Sequence, residues 1–324
     1  MNYSEVRGFN YQPSYGTTSL ENWIYFNPDI FELELRRGKE YFPKFNTVRL
    51  WLSWDAYHRQ PERFKMNFEK ALDIANRIGL KVIPCLLNRW HDETGYDNGG
   101  VYIESFLYPK CWNHYRRYYK EYVADIVGEH TADPRILVWD ICNEPFSYNS
   151  TEGEYEYIIE RELDWLSELY DVMKTIDTNT PISVSIHPVH KRAGVERVAK
   201  ISDVFLIHPY YFCTEDDIKN AEHQKEYIQD IEMYCEVAKK EGKEILVTET
   251  CWGALKDELR SEIIKFTLQT LSRYKIGFLA HALHYSKVAD LHNEVDGSVG
   301  QSYNCAFTTR EGFIRPGHDV FNDY

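Results

Sequence analysis

The 324-residue sequence has no apolar run long enough to cross a membrane, and its polar start MNYSEVRGFNY lacks the segments of a signal peptide. It also lacks an excess of positive charge, since the formal net charge is −14. An acidic chain repels nucleic acid phosphates and anionic lipid headgroups, so we expect neither nucleic acid nor a membrane as a partner. We predict a cytoplasmic protein, or a secreted one if a leader has been removed. The sequence leaves the oligomeric state open.

Sequence motifs that hold cofactors or metals are missing as well. Neither the dinucleotide pattern GxGxxG nor the phosphate-loop pattern GxxxxGK[ST] occurs. The seven cysteines are odd in number and none is spaced as CxxC, which favours reduced thiols over disulfides or zinc ligands. Possible ligands in His91–Glu93 and Asp290–Glu294 have no recognised spacing, and we interpret them as solvated charge. We expect no metal and no cofactor.

Short apolar runs alternate with amphipathic segments along the whole chain. Eight of these runs are strand candidates, and several of them are β-branched and apolar on both faces, which is typical of buried parallel strands. They span Val6–Tyr11, Thr47–Leu52, Lys81–Leu87, Ile136–Cys142, Ile182–Ile186, Val204–His208, Glu244–Thr248 and Gly277–Leu283. Between them, apolar residues recur every three or four positions, as in 68–78, 159–176 and 227–238, which predicts helices with one core-facing side.

Eight strands that alternate with helices predict an α/β protein with a single domain, a (β/α)8 barrel over residues 1–324. The alternative, an open doubly wound sheet, usually has fewer strands and often a glycine-rich phosphate loop. Gly79, Gly242 and Gly277 precede strands, where we expect them to end helices. Two long segments, at about 88–111 and 284–307, are predicted to be loops on one rim of the barrel.

Two glutamates stand where apolar strands end, which is where barrel enzymes carry their catalytic groups. Glu144 ends the fourth strand in ILVWDICNEPF, and Glu249 ends the seventh in EILVTETCW. Strands four and seven lie on opposite sides of an eight-stranded ring, so their end residues can meet across its centre. Two facing carboxylates, one protonated and one ionised, suit the cleavage of a glycosidic bond. For a single glutamate, the alternative is a cap or a salt bridge.

At these residues the chain resembles clan A of the glycoside hydrolases and, within it, family 5, the cellulase and mannanase family. The resemblance is carried by RGFNY (Arg7–Tyr11), NTVRLWLSW (Asn46–Trp54), WDICNEP (Trp139–Pro145), HPYY (His208–Tyr211) and VTETCW (Val247–Trp252). It implies a retaining mechanism with Glu144 as general acid/base and Glu249 as nucleophile.

The resemblance also implies roles for residues around this pair. Arg49 would bind the nucleophile, and Asn143 would contact the 2-hydroxyl of the sugar. His208 and Tyr210 would position the two catalytic carboxylates. Each role has a physical basis: an arginine keeps a carboxylate ionised and oriented, and an amide can donate to a hydroxyl.

Two strand ends depart from the family pattern. The family usually has a histidine at the end of strand three, whereas CLLNRWHDE offers Asn88 or His91 here. It usually has a tryptophan at the end of strand eight, whereas GFLAHALHY places His281 or His284 there. A histidine can form a hydrogen bond with a hydroxyl where tryptophan would stack. The candidates for an aromatic platform that replaces this tryptophan are Trp54, Trp90 and Trp252.

Together with the glutamate pair, the resemblance implies a carbohydrate substrate, a β-linked gluco- or manno-configured oligo- or polysaccharide. The expected reaction is endo-acting hydrolysis by double displacement, as in a glucanase or mannanase. Two alternatives stay open. One is an exo-acting β-mannosidase or β-galactosidase of the same clan, and the other is a sugar-binding barrel that has lost turnover.

Overall fold

The computed structural model of the chain describes residues 2–88, 109–146, 156–287 and 305–324. Within them, eight parallel strands form a closed barrel in the order in which they follow one another, and β8 pairs with β1. Strands β1 to β8 span Arg7–Tyr11, Thr47–Trp51, Lys81–Asn88, Trp139–Asn143, Ile182–Ile186, Phe205–Ile207, Ile245–Val247 and Gly277–Ala280. The predicted single-domain (β/α)8 barrel is confirmed, and each predicted strand contains or overlaps an observed one.

The described α-helices lie between the strands, with two after β1, two after β2 and one after each of β3 to β7. Helices α1 to α9 span Ser19–Ile24, Pro28–Tyr41, Trp54–Arg59, Pro61–Ile78, Pro109–Glu129, Glu156–Ile176, Lys191–Val198, Ala221–Glu241 and Asp257–Arg273. The three predicted apolar stripes fall in α4, α6 and α8. None of the described helices has both the length and the apolar character needed to span a bilayer.

Alternating residues of the strands build two separate apolar clusters, because neighbouring side chains of a strand point to opposite faces. Ile207 and Val247 belong to the large cluster between the strands and the helices, whereas the adjacent Leu206 and Leu246 belong to a small one. The small cluster consists of Val6, Ile83, Val138, Val204, Leu206, Leu246 and Leu279. Three of its members directly precede strands, so it fills the N-terminal end of the barrel interior and leaves the C-terminal end to polar side chains.

The glycine predictions are right at two positions and wrong at the third. Gly79 and Gly242 end α4 and α8 in the left-handed conformation, with φ of 82° and 66°. Gly277 does not end a helix, because it is the first residue of β8. A Cβ atom at Gly277 would come within 1.8 Å of the Tyr3 carbonyl oxygen, so the position requires glycine for close approach of two backbones.

Candidate active site

Two buried carboxylates meet at the C-terminal mouth of the barrel. Glu144 directly follows β4, Glu249 comes two residues after β7, and each has only 5% of its surface exposed. An oxygen of each carboxylate and a ring nitrogen of His208 all lie within 4.8 Å of one another. This spacing could also hold a metal ion. Because these atoms already exchange hydrogen bonds with each other and with neighbouring side chains, we interpret the cluster as a reaction centre.

Glu249 is held at both carboxylate oxygens. Its Oε1 accepts a hydrogen bond from Arg49 Nη1 at 2.5 Å, and its Oε2 accepts one from the Tyr210 hydroxyl at 2.6 Å. The Nδ1 atoms of His208 and His281 lie 3.8 and 4.0 Å from Oε2. Burial opposes the ionised form of Glu249, but the groups that face it, of which Arg49 is permanently positive, outweigh burial and lower the pKa of Glu249. Glu249 is therefore built to stay ionised.

Arg49 is a fully buried cation that joins two carboxylates. Asp140, on β4, accepts from its Nη2 and Nε at 2.7 and 3.1 Å, while Glu249 accepts from its Nη1. Burial alone would lower the pKa of Arg49, but the charge of Asp140 and then that of Glu249 outweigh it, so the pKa is raised. Because Asp140 offsets the charge of Arg49, the arginine can bind Glu249 without leaving a net positive charge in the barrel interior.

Two asparagines also accept from Arg49, beside the Ser185 hydroxyl and the Cys85 thiol. Asn143 Oδ1 accepts from Arg49 Nη2 at 2.7 Å, and Asn10 Oδ1 accepts from Nη1 at 3.0 Å. An arginine only donates, so the amide oxygens must face it and the amide nitrogens must face away. The Asn143 nitrogen donates to Asn88 Oδ1 at 3.0 Å, which uses one of its two hydrogens. Among the described residues none accepts the other hydrogen, and Asn88, at the end of β3, lies beside the carboxylate pair's neighbour Asn143.

His208 lies between Glu144 and Thr248 and is completely buried. Its Nδ1 is 2.6 Å from Glu144 Oε1 and its Nε2 is 3.0 Å from Thr248 Oγ1. Burial is the main cause that lowers the pKa of His208 to about 3, so the ring is neutral and carries a single proton. In the state in which Glu144 is ionised, its carboxylate can only accept, which places that proton on Nδ1. Nε2 must then accept from the Thr248 hydroxyl, which selects the tautomer.

We expect Thr248→Val to lower kcat/KM about tenfold, because the valine keeps the volume but removes the donor to Nε2 and loosens the ring that holds Glu144. Thr248→Ser should retain most of the activity. In the unchanged protein, nitrogen NMR of labelled histidines should show His208 protonated at Nδ1, with the signal assigned through His208→Gln.

The matched control is Thr250→Val, since the buried Thr250 hydroxyl donates to the Pro209 carbonyl at 2.7 Å and touches neither carboxylate. That variant should lose stability but little activity. A His208 ring protonated at Nε2, or an equal loss of activity in both valine variants, would contradict the assignment.

The backbone at Glu144 and Phe146 adopts a conformation that is unfavourable for residues other than glycine. Glu144 and Phe146 have φ values of 50° and 65°, in the left-handed region. The amide of Glu144 donates to the Ser185 carbonyl at 3.0 Å, and that of Phe146 donates to the buried Glu162 carboxylate at 2.8 Å. These bonds hold a strained turn in place, and strain of this kind is concentrated at functional sites.

Of two further predicted residues, one contacts Tyr210 and the other lies near Glu249. The Trp252 ring contacts that of Tyr210 edge to face, with centroids 5.1 Å apart. His281 follows β8, contacts the Trp51 ring edge to face at 5.6 Å, and has a buried Nδ1 without a hydrogen-bond partner among the described residues. The position near Glu249 therefore belongs to His281 rather than to His284.

For two other predicted residues, His284 and Trp54, the described contacts are with groups other than the two carboxylates. His284 Nδ1 lies 2.8 Å from the Tyr285 carbonyl oxygen and 3.7 Å from the buried Glu34 carboxylate. Trp54 is 4% exposed and stacks on His58 with centroids 4.9 Å apart, which is core packing and not an open sugar platform. Trp90 and His91, with most of the two predicted long loops, lie outside the described residues.

The prediction from sequence missed Asp140, the second carboxylate that binds Arg49. A signal was present, since WDICNEP has a charged residue inside an otherwise apolar strand that is buried throughout. A buried charge needs a partner of opposite charge, so an aspartate in a buried strand predicts an ion pair with a buried cation such as Arg49. Thr248 was also missed, because a threonine in a strand carries no such signal.

The chain matches the family model described as Cellulase (glycosyl hydrolase family 5) over residues 42–287, which include β2 to β8 and both glutamates. A protein of Aspergillus terreus named "Probable mannan endo-1,4-beta-mannosidase C" is 31% identical over 83 residues, which cover 24% of this chain and 20% of that protein. The match thus spans only a fifth of the length of that relative.

Two solved structures share the fold at low sequence identity. A GH5_18 enzyme variant from Streptomyces cattleya, in complex with Manb1-4GlcNAc, has a TM-score of 0.73 and 15% identity, covering 98% of this chain and 79% of that one. The exo-beta-1,4-mannosidase Op5Man5 from Opitutaceae bacterium strain TAV5 has a TM-score of 0.72 and 16% identity, covering 98% and 58%. These likenesses confirm the barrel, and the family model, which covers most of the chain, establishes the relationship. The chain belongs to glycosyl hydrolase family 5.

Proposed function

We propose that the chain hydrolyses β-glycosidic bonds with retention of configuration, with Glu144 as general acid/base and Glu249 as nucleophile. The observation that carries the proposal is the spacing of the two carboxylates. One oxygen of Glu144 lies within 4.8 Å of an oxygen of Glu249. Retaining enzymes have carboxyl groups about 5–5.5 Å apart, whereas inverting enzymes need about 6.5–9.5 Å to admit a water molecule. The close spacing favours direct attack by one carboxylate.

In the first step, a Glu249 oxygen attacks the anomeric carbon while Glu144 gives its proton to the leaving oxygen. The bond between that carbon and oxygen breaks, the leaving sugar departs as an alcohol, and a glycosyl ester of Glu249 forms. Arg49 and Tyr210 support this role by holding Glu249 ionised and oriented. The second amide hydrogen of Asn143, which no described residue accepts, would donate to the 2-hydroxyl of the sugar.

In the second step, the ionised Glu144 takes a proton from a water molecule, whose oxygen attacks the same carbon. The ester bond breaks, Glu249 is regenerated as a carboxylate, and Glu144 is protonated again. Two inversions give net retention. While His208 donates to Glu144 Oε1, in the tautomer assigned above, the proton that Glu144 transfers resides on its other oxygen.

The proposed substrate is a β-linked gluco- or manno-configured oligo- or polysaccharide. The names of the relatives favour mannosides: the Aspergillus terreus protein is named as an endo-1,4-beta-mannosidase, and the Opitutaceae enzyme is an exo-beta-1,4-mannosidase. The second name also favours the exo-acting alternative. Products from a reducing-end-labelled hexasaccharide distinguish the two, because only an exo enzyme releases monosaccharide alone.

The proposed stereochemistry is tested by following hydrolysis of an aryl β-glycoside by proton NMR. We expect the β-anomer of the released sugar to appear first, with the α-anomer growing later through mutarotation, because two displacements restore the original configuration. An α-anomer that appears first would exclude double displacement. A protein that binds sugars in calorimetry but cleaves no aryl glycoside would instead be a sugar-binding barrel.

A further inference from the structure

A groove of about 710 Å³ opens beside Tyr210, the residue that binds the proposed nucleophile. His187 and Val189, which follow β5, line one side, and Phe212, which follows β6, lines another. Residues of the first half of α8, among them Asp230, line the outer wall. Strands β5 and β6 come next after β4 around the barrel, and β4 leads into Glu144. The groove therefore lies on the side of the acid/base.

Two apolar side chains that line this groove are far more exposed than is usual for valine and phenylalanine. Val189 is 68% exposed and Phe212 is 44% exposed. The Phe212 ring is nevertheless fixed in place, because it contacts the rings of Trp252 and Tyr210 with centroids 4.7 and 5.7 Å away. Exposed apolar surface gathered in one groove marks a binding site rather than a core. A ring held by two others loses little entropy when a ligand packs on it.

Polar groups that line the groove complement the apolar side chains of Val189 and Phe212. His187 Nδ1 accepts from the Val189 amide at 3.2 Å, which orients the imidazole along the wall. Asp230, on the opposite wall, forms an ion pair with Lys191 at 3.1 Å. The combination of an aromatic surface and a few oriented polar groups is what a sugar needs, since a sugar has apolar faces and a rim of hydroxyl groups. The volume lies in the range of small-molecule sites, about 300–1,000 Å³.

We infer that this groove binds the leaving-group portion of a β-linked oligosaccharide, with Phe212 as the stacking platform for a sugar beyond the cleaved bond. The inference rests on the proposed function, because the leaving oxygen must lie against Glu144, which donates its proton to it. The groups that flank the centre on its other side, Asn88 and Asn143, come from β3 and β4, and we place the sugar that is attacked beside them. An oligosaccharide that starts beside these asparagines and passes over Glu144 then enters the groove beside Tyr210.

The test compares two substrates that share the same glycone and differ in the leaving group. One is a glycosyl β-fluoride, whose leaving group is a single atom, and the other is the β-linked tetrasaccharide. We expect Phe212→Ala to lower kcat/KM for the tetrasaccharide about tenfold, which is the order expected for loss of one aromatic contact, and to leave the fluoride within about twofold. Phe212→Tyr, which keeps the ring, should restore the tetrasaccharide rate.

Phe313→Ala is the matched control, because Phe313 is 66% exposed and does not line the groove. It should leave both rates unchanged. An equal fall for both substrates in Phe212→Ala, or a fall for neither, overturns the inference. If the unchanged protein cleaves neither substrate, the proposed function fails, and calorimetry decides the inference separately. Weaker tetrasaccharide binding by Phe212→Ala than by Phe313→Ala supports it, and equal binding overturns it.

Discussion

Replacing Glu249 with alanine is expected to lower kcat for an aryl β-glycoside by more than about 10⁴-fold, the order of loss that follows removal of a covalent nucleophile in hydrolases. The variant keeps Glu144, Arg49 and Tyr210, so it should still bind substrate. Addition of azide or formate should restore turnover, because a small anion can occupy the space of the missing carboxylate. With azide, the product should be the α-glycosyl azide, since a single displacement inverts the configuration.

Glu244→Ala is the control for this experiment. Glu244 is an exposed glutamate that precedes β7 at the opposite end of the strand from Glu249, and its loss should leave kcat unchanged. Full activity of Glu249→Ala would remove Glu249 from the mechanism. Rescue by azide with retained configuration would instead mean that the carboxylate acts as the acid/base.

Replacing Arg49 with methionine should lower the free energy of unfolding by about 3–5 kcal/mol, because it leaves the buried carboxylates of Asp140 and Glu249 without their cation. The pH profile should change as well. The pKa of Glu249 lies below its ordinary value of 4.5, so the nucleophile stays ionised until the pH falls through that lowered pKa. Without the facing charge of Arg49 the pKa rises, and the acidic limb of kcat/KM moves to higher pH. Denaturant unfolding and a kcat/KM profile measure the two effects.

Two further variants keep this prediction testable if Arg49→Met folds poorly. Arg49→Lys keeps the charge but cannot form all the hydrogen bonds, so its acidic limb should move less than that of the methionine variant. Arg135→Met is the control on the outside of the barrel, where Arg135 pairs with Glu69, Asp73 and Asp133 at 2.6–2.8 Å. Because Glu69 and Asp73 are about half exposed, the loss should be about 1 kcal/mol. A loss in Arg49→Met no greater than in Arg135→Met would show that the buried network contributes little.

The predictions made from sequence hold best where a local pattern carries the physical cause. A strand buried on both faces is mostly apolar, so the eight strands are visible in the sequence as apolar runs. The helices of 68–78, 159–176 and 227–238 were visible for the same reason, through their three-to-four spacing. Gly277 shows the limit of such patterns. It stands before a strand like Gly79, yet its reason is a close backbone contact with Tyr3, which no local pattern encodes.

The sequence by itself determined the barrel and the placement of Glu144 and Glu249 at strand ends, because periodicity and strand order are written along the chain. Only the tertiary structure decided that Arg49 joins Asp140 to Glu249, partners 91 and 200 residues away, and that Asn143 turns its oxygen to that arginine. It also decided that His281, and not His284, lies beside Glu249, and that two carboxylate oxygens come within 4.8 Å. These facts depend on closure of the ring and on the register between strands, which set distances across the barrel that no local sequence pattern contains.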